Sequence, residues 1–186
     1  MNYDMKTIDK YLFQALDNYP YSLVETVESL DYALSYDDKN TIALCLYGRL
    51  YAEQLQRYEM AKEYFQQAIA VDIHALDVYV HYIHTLILNE DIAEAEKLIE
   101  FALTVKGINK AEILLKRALI LESQRKFEEA LEVIKEVKLT AFTCATSYDT
   151  ENAEKRLKDK IDLLSDKKES KEKKEKPKKK KSDKKK

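Results

Sequence analysis

The chain has 186 residues, of which 45% are hydrophobic and 35% charged, so a folded core of ordinary domain size is expected. Only two glycines and two prolines are present, which argues against an all-β fold with many tight turns. No apolar run reaches the roughly 18 residues that a membrane-spanning helix needs, and no signal peptide is expected at the N-terminus. Cys45 and Cys144 are interpreted as reduced thiols of a cytoplasmic protein.

The net charge of -2 hides a segregation of charge along the chain. Residues 167–186 contain 13 lysines against four acidic residues, whereas residues 1–166 carry a net charge of -11. An acidic body joined to a basic tail calls for a separate functional interpretation of each part.

Apolar residues at helical spacing predict eight helices in four consecutive pairs. The predicted ranges are 4–18, 21–36, 41–54, 58–71, 75–88, 91–105, 110–123 and 126–138. Asn40 is predicted to cap the third helix, and Gly107 to end the sixth in the left-handed conformation. Asn109 and Glu112 resemble a capping box at the start of the seventh. Gly48 lies inside the third helix, where a glycine is unfavourable, so we expect it to allow close approach of a neighbouring helix.

The C-terminal part is predicted to contain a loop, one helix and a disordered tail. Residues 139–149 show no helical period and are predicted to form the loop. Residues 150–165 carry an apolar stripe suited to a capping helix at the end of a repeat stack. The stripe consists of Leu157, Ile161 and Leu164. Residues 166–186 lack apolar side chains whose burial would offset the entropy of ordering, so disorder is expected.

The second helices of the predicted pairs share a pattern that recurs about every 34 residues. Its members are Ala61, Phe65 and Ala68, then Ala95, Ile99 and Ala102, then Ala130, Ile134 and Val137, with a weaker upstream copy in Thr26, Leu30 and Ala33. Within each set, the residues share one helix face. A recurrence of this length is the signature of stacked helical hairpins.

With these residues in place, the chain resembles a tetratricopeptide-repeat protein over roughly residues 4–138. The residues that match the family pattern are Leu44, Tyr47, Gly48, Tyr51, Ala61, Phe65 and Ala68 in one pair and Leu114, Ala118, Leu121, Phe127 and Ala130 in another. The sequence departs from the pattern by an extra residue between Gly48 and Ala61 and by Ile83, where a small residue is usual. The resemblance implies an all-α, right-handed superhelical stack of about four hairpins over residues 1–138, followed by the capping helix and the basic tail.

The resemblance also implies a non-catalytic scaffold whose first helices line a concave groove for a peptide or protein partner. The residues expected on those faces are Arg49, Glu53, Asp77, His81, His84, Lys116 and Glu122. One subset of the family grips the C-terminal carboxylate of chaperone peptides with paired lysine and asparagine residues. That pair is missing here, so this ligand is not expected.

Other kinds of site find little support in the sequence. Asp77, His81 and His84 share a helix face and could ligate zinc, but nothing supplies a fourth ligand, so no metal is expected. Two glycines exclude a glycine-rich phosphate loop, and no nucleophile–base motif is present, so we expect neither a catalytic residue nor a cofactor. Four tyrosines are interpreted chiefly as core residues, with a peptide-binding aromatic surface as the alternative: Tyr47, Tyr51, Tyr79 and Tyr82.

The lysine-rich tail allows three interpretations. It is a solubilising end, a weak contact for nucleic acid or an anionic surface, or a segment that folds back and masks the groove. The second interpretation would make the chain a nucleic-acid-associated protein tethered by its tail, which is the alternative to a protein-binding scaffold. The tail has no aromatic side chain on which bases could stack, and this argues against a dedicated single-strand binder.

Overall fold

The structure, a computed structural model, describes residues 7–140 and 144–175, with side-chain environments for residues 10–140 and 148–165. Within these residues it contains nine α-helices and one π-turn, which confirms the predicted all-α fold. They are α1 (Thr7–Asn18), α2 (Leu23–Tyr36), α3 (Thr41–Arg49), the π-turn (Leu50–Gln54), α4 (Tyr58–Val71), α5 (Leu76–Leu88), α6 (Ile92–Thr104), α7 (Lys110–Ser123), α8 (Phe127–Thr140) and α9 (Cys144–Glu175). No helix in these ranges is both long and apolar enough to cross a membrane.

Consecutive helices pack as hairpin pairs, as expected for a tetratricopeptide-type stack. The pairs are α1 with α2, α3 with α4, α5 with α6, and α7 with α8. The first helices also contact one another in the order α1, α3, α5, α7, and α9 takes the next place by packing on both α7 and α8. The first helices therefore form one continuous layer through the stack.

The recurring stripe of the second helices is the core of each hairpin. Ala61, Phe65 and Ala68 are fully buried, and so are the corresponding residues of α2, α6 and α8. The period near 34 residues is thus the spacing of a buried helix face. Tyr47 and Tyr79 are buried as well, in agreement with the predicted core role of the tyrosines.

Helix ends follow the predicted caps in one of three cases. Asn40 Oδ1 accepts a hydrogen bond from the backbone N–H of Ala43 at 3.0 Å. Gly107 is left-handed, with φ 92°, but it lies two residues beyond Val105, the extended residue that ends α6. Asn109 instead donates from its side-chain amide to Glu112 Oε1 at 2.8 Å and makes no capping bond to the backbone. The two side chains meet, but they do not form a capping box.

The turns between α5 and α6 and between α7 and α8 have the same backbone geometry. In the first, the N–H of Asp91 donates to the carbonyl of Leu86 at 2.9 Å across Glu90, which has φ 63°. The second repeats this bond at 2.9 Å, with Arg125 at φ 61°. Both turns therefore hold a non-glycine residue in the left-handed region, where glycine is usually favoured.

The predictions for the C-terminal part require correction. The observed ends of α2 and of α4 to α8 lie within two residues of the predicted ranges, whereas α3 ends five residues early and reaches its predicted end only with the π-turn included. The predicted loop 139–149 is wrong on both sides, because α8 reaches Thr140 and α9 begins at Cys144. Thr150 is buried on the same face as Leu157, so the stripe of α9 starts with a polar residue that a hydropathy pattern does not register. Leu164 is exposed and not part of the packed stripe.

The helix α9 is also longer than the predicted range 150–165. Its backbone remains helical to Glu175, ten residues into the segment that was expected to be disordered. Lysine and glutamate are good helix formers, and this local preference extends a helix that tertiary packing has already nucleated. The remaining tail, residues 176–186, lies outside the described residues.

Candidate partner-binding groove

Two adjoining cavities lie along the layer of first helices. The N-terminal cavity, about 760 Å³, lies between α3 and α5, and its lining includes Leu16, Ile42, Cys45, Arg49, Asp77 and His81. The C-terminal cavity, about 530 Å³, lies between α7 and α9, and its lining includes Leu115, Lys116, Leu119, Asp149, Asn152 and Arg156. Val80 and Glu112 line both cavities, which together are called the groove below.

Each first helix presents side chains from successive turns to the groove, because residues three or four apart share a helix face. On α3 these include Ile42, Cys45 and Arg49; on α5, Asp77, Val80 and His81; on α7, Glu112, Leu115 and Leu119; on α9, Asp149, Asn152 and Arg156. Acidic side chains thus lie in the first turns of α5 and α7 and, at Asp149, in the second turn of α9. Apolar and basic groups follow deeper along the helices.

A polar network at the N-terminal cavity joins the residue that follows α1 to α3 and the π-turn. Arg49 Nε donates to Glu53 Oε1 at 3.2 Å, and the Tyr19 hydroxyl donates to Glu53 Oε2 at 2.5 Å. The guanidinium of Arg49 lies 4.9 Å from the centroid of the Tyr19 ring. Although burial opposes it, the hydrogen bonds from Tyr19 and Arg49 hold the pKa of Glu53 below its usual range. Glu53 is therefore a carboxylate shared by two donors.

The two histidines beside this network are neutral at physiological pH. Burial, together with the nearby Arg49, lowers the pKa of His81 to about 4. Its Nδ1 lies 3.6 Å from Glu53 Oε1, so this contact does not join two charged groups at pH 7. Burial also lowers the pKa of His84, whose Nδ1 is buried without a hydrogen-bond partner.

The predicted residues Asp77, His81 and His84 do follow one side of α5, but they are not arranged as a metal centre. Asp77 is exposed and lines the N-terminal cavity. Within the described part of the chain, no three histidine, cysteine, aspartate or glutamate side chains are placed to hold a metal ion together. The groove is therefore described by its hydrogen-bonding and charged groups.

Lys116 and Glu122, both predicted for the groove, occupy very different environments. Lys116 is half-buried in the C-terminal cavity, where burial lowers the pKa of its amine, and it makes no ion pair with any described residue. Glu122 accepts two hydrogen bonds of 2.8 Å from Arg156 and one of 2.6 Å from Lys160. Arg156 and Lys160 lower the pKa of Glu122 to about 2. Lys116 therefore lacks an ion pair among the described residues, whereas Glu122 joins α9 to α7.

Several groove residues were not predicted, and the repeat period could have found one of them. Glu112 follows Asp77 by 35 residues and lines both cavities. Asp149 follows Glu112 by 37 residues, but it fell in the predicted loop, and this hid the contribution of α9. Tyr19 follows the helical spacing of the first predicted helix, but it lies just beyond the end of α1 and was not assigned to the groove.

Comparisons with known proteins agree with this architecture. Residues 42–72, which form the α3–α4 hairpin with its π-turn, match the tetratricopeptide repeat family. No protein of curated function matches the sequence. The chain is similar to a solved structure described as a functional characterisation of Pseudomonas aeruginosa pilF, with TM-score 0.63 and 18% identity over 87% of this chain and 78% of that one. At this identity, the similarity shows a shared fold.

Proposed function

We propose that this tetratricopeptide-repeat protein is a non-catalytic scaffold that holds a segment of a partner protein in the groove. Such repeats generally serve protein interaction and are typically non-catalytic. The observation that supports the proposal is the continuity of the groove, because α3, α5, α7 and α9 all contribute to it and the two cavities share Val80 and Glu112. An elongated groove of this kind suits a peptide segment.

The chemistry of the groove also suits a peptide. Its lining alternates apolar side chains, such as Ile42, Val80 and Leu119, with a few polar groups that would fix the orientation of a ligand. Lys116 is a groove cation that makes no ion pair with any described residue. A half-buried charge that lacks a partner raises the free energy of the unbound protein, and an oxygen acceptor from a ligand would relieve this cost.

Site-specific photo-crosslinking in the native host tests whether a partner occupies the groove. A benzoylphenylalanine is placed at Ile42 or Leu119, which line the two cavities, and at Glu63, an exposed position on α4, as the control. We expect one discrete protein adduct shared by the two groove positions and absent at Glu63. Equal adducts at all three positions, or none in the groove, would contradict the proposal.

A matched pair of lysine variants tests the role of Lys116 in binding the partner identified in this way. We expect Lys116→Met to weaken binding at least tenfold, which corresponds to about 1.4 kcal/mol. Lys97→Met, at an exposed position on α6, should change affinity less than twofold. Isothermal titration calorimetry measures both. Equal effects of the two variants would show that Lys116 is not a contact.

The segregation of charge supports a second function for the tail, namely binding of nucleic acid or another polyanion. The segment 167–186 has a net charge of +9, against -11 for the rest of the chain. We expect binding of an oligonucleotide to fall steeply with salt, because each neutralised phosphate releases counterions. Deletion of residues 176–186 should abolish most of this binding and leave the Ile42 adduct unchanged. Undiminished oligonucleotide binding after the deletion would exclude the tail as the site.

A further inference from the structure

The α3–α4 hairpin is one residue longer than the last hairpin of the stack. Thirteen positions separate Gly48 from Ala61, but only twelve separate the equivalent Ala118 and Ala130. The π-turn Leu50–Gln54 lies inside this longer interval. Such turns are rare within α-helices and occur frequently at functional sites. The insertion is therefore located at the end of a groove-lining helix.

Backbone hydrogen bonds show how the extra residue is accommodated. The N–H of Leu55 donates to the carbonyl of Leu50 at 3.2 Å, five residues back, where an α-helix would use a spacing of four. The N–H of Arg57 then donates to the carbonyl of Tyr51 at 2.8 Å, six residues back, whereas the corresponding bonds of the later turns span five. The widened turn thus accommodates the extra residue within residues 52–56, and the position of α4 in the stack is unchanged.

Glu53 lies on this widened turn and fixes Arg49 in two ways. Its carboxylate accepts the Nε–H of Arg49 and, with its other oxygen, the hydroxyl of Tyr19. The ring of Tyr19 lies against the guanidinium. Nε is therefore bound and the guanidinium is supported by an aromatic ring, while the two terminal nitrogens make no hydrogen bond to any described residue. Arg49 also lines the N-terminal cavity, so these N–H groups are available to a ligand there.

The surrounding charges select the kind of acceptor that would suit Arg49. Glu53 already neutralises the guanidinium, and Asp77 and Glu112 add negative charge to the same cavity, while the neighbouring His81 is neutral. Lys116 is a further cation near His81. A second carboxylate would meet repulsion here. Uncharged carbonyl oxygens accept guanidinium N–H groups without that cost.

We infer that the π-turn is an insertion that builds part of the groove: it sets Glu53 to position Arg49, whose terminal N–H groups bind main-chain carbonyl oxygens of the partner segment. This inference rests on the proposed function for its ligand, but the positioning of Arg49 is a property of the unbound protein. Glu53 is a positioning residue, and Arg49 makes the contact.

Nuclear magnetic resonance of the full chain tests the positioning directly. The Nε–H signal of Arg49, assigned by its loss in Arg49→Lys, should be resolved and slow to exchange in the native protein. Deletion of Leu55 restores the shorter hairpin and should move this signal to the position of a solvent-exposed arginine, as should Glu53→Ala. Glu53→Gln keeps an oxygen acceptor and should largely retain the native signal. Glu63→Ala, on α4, is the matched control and should leave it unchanged.

The adduct formed from Ile42 provides the binding readout for the same variants. We expect its yield to fall at least fivefold on deletion of Leu55 and in Glu53→Ala, to recover in Glu53→Gln, and to be insensitive to salt up to about 0.5 M, because the ligand group is uncharged. Helical content measured by circular dichroism should stay at the native level in every variant.

The two readouts separate the inference from the proposed function. A native Arg49 signal after deletion of Leu55 would overturn the positioning role of the π-turn. A native adduct yield despite a lost signal would overturn its role in binding, and an Arg49-dependent yield that collapses with salt would assign a carboxylate ligand instead. If the native chain gave no adduct while the Arg49 signal behaved as expected, the proposed function would fail and the positioning of Arg49 by the π-turn would stand.

Discussion

Replacement of Gly48 by alanine is expected to destabilise the protein, although helix propensity alone predicts the opposite. Gly48 lies inside α3 and faces Phe65 of α4, which is fully buried. A Cβ atom at this position would lie 2.5 Å from Phe65 Cε1 and 2.7 Å from two further ring atoms. These distances are far below van der Waals contact, so either the ring or the helix must move.

Two opposing terms determine the size of the effect. Alanine is favoured over glycine within a helix by about 1 kcal/mol. Overpacking of a well-packed core usually costs about 1–3 kcal/mol, and a rigid ring in contact with Tyr82 at 5.7 Å between centroids has little room to give. Taking the upper end of that range, Gly48→Ala should lower the free energy of unfolding by about 2 kcal/mol.

Urea denaturation of four proteins measures this effect and assigns it to the ring. They are the native chain, Gly48→Ala, Phe65→Leu and the double variant. A smaller side chain at position 65 should accept the new methyl group, so the double variant should be more stable than the sum of the single effects by about 1–2 kcal/mol. If Gly48→Ala instead stabilised the protein by about 1 kcal/mol, the contact with Phe65 would not be what requires glycine.

Three further predictions concern single side chains. Because the pKa of Glu122 is lowered to about 2, its contribution to stability should be complete above pH 5 and lost as the pH falls towards 2. Urea denaturation over that range should show that the free energy of unfolding falls by about 2 kcal/mol more in the native chain than in Glu122→Gln. Arg125→Gly, at φ 61°, should raise the free energy of unfolding by about 1 kcal/mol, whereas Gln124→Gly, at φ -77°, should not. Thermal denaturation should show that Lys116→Met stabilises the protein by about 1 kcal/mol and that Lys97→Met has little effect.

The hairpin stack was predictable because its buried faces repeat. Ala61, Phe65 and Ala68 recur at one period, and each recurrence marks a helix face that packing must cover. The same reasoning failed in α9, because hydrophobic periodicity detects neither a buried polar residue nor a stretch of helix without apolar residues. Thr150 is buried at the start of α9, and the Lys- and Glu-rich residues up to Glu175 remain helical through local propensity, so neither feature produces a hydrophobic period.

The groove was predictable in part, because helical spacing shows which side chains share a face but not which of them already have partners. Arg49 and Lys116 both line the groove, yet one is held by Glu53 and the other has no ion pair among the described residues. Glu122 shares the predicted face but is bound by Arg156, which lies 34 residues away. Arg156 belongs to α9, whose start was predicted too far along the chain. Pairing across helices depends on their packing, which no single helix encodes.

The extra residue of the α3–α4 hairpin was visible in the sequence, and packing determines where it lies. A one-residue slip in a helix rotates every later side chain by about 100°, so it would remove either Gly48 or Phe65 from their mutual contact. Both helices are therefore fixed in register, and the insertion is confined to the stretch between Tyr51 and Arg57. That stretch ends a first helix beside the N-terminal cavity. A repeat protein can in this way gain a residue that positions a groove side chain, here Glu53 beside Arg49, by lengthening one hairpin while the rest of the stack keeps its register.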